Sequence, residues 1–180
     1  MPSKRSTPSW SDLKAKLADL DRAELVGLVQ ALYAASRDTQ TFLHARFSLG
    51  GDVLKPYKVA IDRWLWPDVF KNQDISVAKA KKAIADYRKA VGRPEGLAEL
   101  MVFFCERAAG FSADVGLQDE GSFDALVRMF AQALKTIEVL PEARRLELWD
   151  RLDAVRHTSH NLGYGVGDEM DSLLSESAKR

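Results

Sequence analysis

The chain has 180 residues, 46% of them apolar and 29% charged, which is the make-up of an ordinary globular protein with enough length for a sizeable core. Lysine and arginine balance aspartate and glutamate at 26 each, so net charge gives no reason to expect a polyanion or a membrane surface as partner. The one cysteine, Cys105, excludes an internal disulfide and fits a reducing compartment.

Helix signals follow one another from the N-terminus. Ser9 stands three residues before Asp12, the spacing of a capping box, and Leu13, Leu17 and Leu20 then share a face. Asp21 and Glu24 repeat the device ahead of a stripe of Leu25, Leu28, Val29 and Leu32. A short third helix is expected from Asp38, presenting Phe42, Leu43 and Phe47, with His44 half-buried, before the break at Gly50–Gly51. "KPYKVAIDRWLWP" reads as a helix carrying Tyr57, Ile61, Trp64 and Leu65 and ended by Pro67. The next helix is capped by Ser76, closed by Gly92, and buries Ala80, Ile84, Tyr87 and Val91. Pro94 opens a helix with apolar residues on most sides, which marks it as the central one. Two further helices are divided by Pro141.

No stretch alternates with a period of two, and no repeat recurs at 30–50 residues. The sequence therefore predicts an all-α, compact fold of about seven to nine helices. It predicts a flexible N-terminus over 1–9, a single helical domain over 10–175 and a flexible tail over 176–180. The first residues lack the apolar core of a secretory signal, and no apolar run reaches the roughly 18 residues of a membrane span. A cytoplasmic protein without a membrane partner is the expectation.

The segment "RHTSHNLGYGVGDEM", from Arg156 to Met170, is the least ordinary. Its Gly163-x-Gly165-x-Gly167 spacing is not that of a dinucleotide loop, and a helical segment precedes it where a strand is needed. Leu148, Leu152, Val155, Leu162, Val166, Met170 and Leu173 keep helical phase through the glycines, so the phase favours one helix from Pro141 to Ser175 over a chain break. On such a helix Trp149, Asp153, Arg156, His160, Gly163 and Gly167 share one flank, with a notch at the two glycines, and form the candidate pocket. Packing of a neighbouring helix into the notch is the alternative.

His157 and His160 stand one turn apart, but the other ligands of a standard metal site are missing. Glu95, Glu99 and Glu106 share a face of the central helix and could complete such a site, but an acidic stripe of this kind reads as the solvated side of the helix. Cys105 lies in "LMVFFC" and reads as an inert core thiol, so no catalytic residue and no cofactor is assigned. Charge is unevenly placed. Residues 55–93 hold 10 basic and 4 acidic side chains, whereas residues 94–180 hold 9 and 16. Lys79, Lys81, Lys82, Arg88, Lys89 and Arg93 form a candidate basic surface for nucleic acid, near Tyr57, Trp64, Trp66 and Tyr87. A solvated face over core aromatics is the alternative.

The ordered set "SDLKAKLADLDRAELVGLVQALY", "SVAKAKKAIADYRKAVG", "LAELMVFFCERAAGF", "DEGSFDALVRMFAQALK" and "TSHNLGYGVGDEMDSLL" resembles a family of small bacterial proteins known only as a domain of unknown function. The most specific match is the ending Thr158, Ser159, Leu162, Gly163, Tyr164, Gly165, with Asp168 and Glu169 following. The resemblance implies a helical protein and carries no activity, cofactor or catalytic residue. The residues favour a non-enzymatic binding or interaction module with a macromolecular partner, a homodimer included. The alternatives are nucleic-acid binding through the basic segment and a ligand- or metal-dependent enzyme at Asp153, Arg156 and His160.

Overall fold

The computed structural model describes residues 7–177, which form nine α-helices and no strand. The all-α expectation holds. The flexible ends expected over 1–9 and 176–180 fall mostly outside the described residues. The helices are α1 (Trp10–Ala18), α2 (Arg22–Ala35), α3 (Arg37–Arg46), α4 (Lys55–Leu65), α5 (Val77–Ala90), α6 (Pro94–Val115), α7 (Glu120–Ile137), α8 (Glu142–Ser159) and α9 (Val166–Ser177). The chain divides into two compact units, Met1–Leu43 and His44–Arg180.

In the first unit both capping boxes form. The Ser9 side chain accepts from the Asp12 amide, the Asp21 side chain accepts from the Glu24 amide at 2.8 Å, and each acidic side chain accepts in return from the cap amide. The expected core stripes do not become core, because α1 and α2 bury no residue and do not pack along one another. Leu13 is 50% exposed and Leu32 52%. What the two helices share with the sequence reading is their local start signals, not an apolar face closed on another.

The second unit is built around α6, which packs against α4, α5, α7 and α8. Ala98, Leu100, Val102, Phe104 and Cys105 are fully buried, as the all-round apolar pattern predicts. The stripe of α7 repeats at steps of three and four: Phe123, Leu126, Phe130, Ala133 and Ile137 are buried, while Asp124 and Arg128 pair on the opposite side at 2.6 Å. Ser76 caps α5, and Pro94 occupies the first turn of α6. His44, expected half-buried, is exposed; the buried residue of α3 is its neighbour Ala45.

The segment read as one continuous helix is two. α8 ends at Ser159 and α9 starts at Val166, with left-handed backbone at Gly163 (φ +84°), Tyr164 (+51°) and Gly165 (+69°) between them. No α-helix can pass through three such residues in a row. The apolar phase persisted because both helices, and Leu162 between them, turn the same stripe into one core: Leu148, Leu152, Val155, Leu162, Val166 and Met170 are all buried. α9 then packs on α7 as well as on α8. The turn is held by Gln118, whose side-chain amide donates to the Leu162 carbonyl at 3.2 Å.

Candidate functional site

The chain reversal changes what the glycine segment builds. Trp149, Asp153 and Arg156 do come together, and with Asp171, Leu174 and Ser175 of α9 they line an open groove between the last two helices. Arg156 spans it. Its Nε donates to Asp153 at 2.9 Å and its Nη1 to Asp171 at 2.7 Å. Asp171, with Asp153, holds the guanidinium above its ordinary range, and Arg156 in turn holds the Asp171 carboxyl below its own. The two opposed carboxylates satisfy the arginine, which makes it a clasp across the α8–α9 joint and leaves it little capacity for a ligand.

His160 is placed by Gly167. A Cβ at position 167 would lie 2.5 Å from His160 Nδ1 and 2.8 Å from His160 Cα, so only glycine lets the end of α8 rest on the first turn of α9. The imidazole then reaches Asp171, with Nε2 3.3 Å from Oδ2, and lies 3.9 Å from Asp168. Gly163 is not part of this arrangement. It sits in the turn, where the nearest atom to an added Cβ is the Gln118 side-chain oxygen at 3.3 Å. The notch of two glycines on one flank therefore does not exist, because the helix that would have aligned them is broken.

His160, Asp168 and Asp171 offer donor atoms within 4.8 Å of one another. Asp171 is already bonded to Arg156, whose positive charge opposes a cation beside the same carboxylate. The paired histidines do not converge: His157 stays with α8, its Nδ1 2.9 Å from the Asp153 carbonyl.

Glu99 and Glu106 of the acidic stripe are not a solvated face. Glu99 is 4% exposed and takes three cations: Lys58 of α4 at 2.6 Å, Arg144 of α8 at 2.5 Å and Arg151 of α8 at 2.7 Å. Arg151 also forks onto Glu106 at 2.7 and 2.8 Å. Burial alone would raise the Glu99 carboxyl, but the bonds from Arg151 and Lys58 outweigh it and hold the group below its ordinary value. The cluster ties α4, α6 and α8 together. Its signal in the sequence is the seven-residue spacing of Glu99 and Glu106 on one helix, matched by Arg144 and Arg151 on another.

The basic residues of the second candidate surface do not share one face. Lys79, Lys82 and Lys89 share a stripe of α5 with Asp86, to which Lys82 is bonded at 2.6 Å. Lys79 lies 3.8 Å over the Trp64 ring. Lys81 and Arg88 flank a shallow depression against Met129 and Gln132 of α7. Arg93 is separate again, at the N-cap of α6. Tyr57 and Tyr87, two of the aromatic residues near this segment, are core, stacked edge to face with centroids 5.3 Å apart.

Cys105 is fully buried, and burial pushes its thiol far above the ordinary range, which removes it as a nucleophile. Among the described residues no helix is long and apolar enough to cross a membrane. Comparison with family models, curated proteins and solved structures gives no match.

Proposed function

We propose that the chain is a non-enzymatic interaction module that docks onto a protein partner through α2. One observation carries this reading. From Leu25 to Ser36 the sequence holds no charge, yet none of the residues of α2 is buried. Val26 is 61% exposed, Val29 47% and Leu32 52%. A helix apolar on most sides is ordinarily an interior element, and exposed apolar faces of this kind mark helix-in-groove recognition. The capping boxes at α1 and α2 satisfy the first amides of both helices and favour the helical form of this face. The enzyme alternative has less support, because Asp153, Arg156 and Asp171 satisfy one another.

A photo-cross-linking residue at Val29, with one at the exposed Asp124 of α7 as control, tests the reading in producing cells. A single adduct mass formed from position 29 and not from 124 supports it, and the mass distinguishes a second copy from another polypeptide. Cross-links confined to the chain itself, or none, would overturn it.

A further inference from the structure

The size, charge and relief of the exposed face on α1 and α2 fit one occupant, a second copy of the chain. The two helices have 9 and 14 residues and bury none of them, and each side of a stable protein complex contributes about 20–30 residues. Trp10 of α1 is 68% exposed and Val26 of α2 61%. From Leu25 to Leu32 Gln30 is the one polar side chain. Interfaces between identical chains are the more apolar class, whereas a separately folded partner meets a surface about as polar as the rest of the protein. The charges lie before this stretch. Residues 10–24 hold four acidic and three basic side chains, so two copies bring both signs to their contact and almost no net repulsion.

The relief of α2 matches itself. Ala23, Gly27, Ala31 and Ala35 follow at four-residue steps and form a row of small side chains, and Leu28 and Leu32 stand in the adjoining row. Groove and ridge thus lie side by side on one helix. When two copies meet across a twofold axis, the leucine ridge of each enters the groove of the other, the commonest way for helices to cross. Gly27 deepens the groove. Nothing lies within 4 Å of where its Cβ would stand, so no neighbour in the chain calls for glycine at this helix-interior position, where glycine is unfavourable. We infer that α2 is the contact of a homodimer, in which two α2 helices pack ridge into groove at Gly27, Leu28, Ala31 and Leu32. The apolar side of α1, with Trp10 and Leu13, closes over Leu25 and Val29 of the other copy. This inference rests on the docking reading of α2 and names its partner.

The test is fluorescence-detected sedimentation of the full chain in a dilution series from about 100 μM to about 1 nM, which spans most of the affinities that interfaces of this size reach. A species of twice the chain mass is expected, dissociating on dilution. Gly27→Leu fills the groove, and Leu28→Glu sets two like charges against each other across the axis; each is expected to weaken the dimer by about tenfold or more. Both replacements are good helix formers at exposed positions, so α2 itself persists. Leu146→Glu, at an exposed leucine of α8, is the control and is expected to leave the dimer unchanged. A monomer throughout the series overturns the inference, as does a dimer that both α2 variants leave unchanged or that Leu146→Glu weakens equally. The docking reading fails separately. A monomer whose Val29 cross-linker captures another polypeptide keeps that reading and overturns the dimer, whereas a monomer without adduct overturns both.

Discussion

Replacing Glu99 by glutamine tests how the second unit is held together. The substitution keeps the shape of the side chain and removes one buried negative charge from among three cations. Arg151 retains Glu106 and Arg144 retains Glu147, so neither is stranded alone, but Lys58 loses the one carboxylate it is bonded to. Breaking a buried pair by removing one member costs about 3–5 kcal/mol. Because the three cations keep about a quarter to a third of their side-chain surface exposed, the lower end, about 3 kcal/mol, is expected. For a protein of this length that is a fall in melting temperature of roughly 6–12 °C. The pH dependence follows from the direction of the shift. The folded carboxyl lies below its unfolded value, so its contribution is full above about pH 4.5 and fades as the pH drops through the folded value. Urea denaturation of the native and Glu99→Gln proteins at neutral pH and at successively lower pH should give two stability curves that converge in acid. A difference within about 1 kcal/mol at neutral pH, the range of a surface pair, would refute the reasoning, as would curves that stay parallel into acid.

Three further outcomes follow from close packing and burial. Gly167→Ala places a methyl 2.8 Å from the Cα of His160, which the backbone cannot easily yield, and should cost about 1–3 kcal/mol in urea denaturation. Gly110→Ala brings a methyl to 2.7 Å from the Trp66 ring, which also packs edge to face on Phe111 and under Arg107; it should destabilise by a similar amount, about 1–3 kcal/mol, and change the tryptophan fluorescence. Cys105 should resist an aromatic disulfide reagent in the native protein and react fully in denaturant, and rapid native reaction would contradict its burial.

What could be read from the sequence divides by the range of the interaction that decides it. The capping boxes at Ser9 and Asp21, the stop at Pro67, the start at Pro94 and the central place of α6 depend on neighbours within a turn or on composition, and the structure bears them out. The stripes of α1 and α2 were equally clear as patterns, but whether a stripe becomes core depends on a second surface, and nothing local to Leu25 or Leu32 specifies one. The glycine segment failed differently. Two helices that feed one core through a six-residue connection can preserve apolar phase by accident of length, so phase alone could not reveal the reversal at Gly163, Tyr164 and Gly165. The strongest tertiary feature, Glu99 among Lys58, Arg144 and Arg151, rests on residues more than forty positions apart. An acidic stripe on one helix looks solvated until a basic stripe with the same steps is assigned to its neighbour. That pairing was present in Glu99 and Glu106 against Arg144 and Arg151, separated by seven positions on each helix. A matched period of opposite charge on two helices thus carries information about which helices meet, where the charge count of either helix alone carries none.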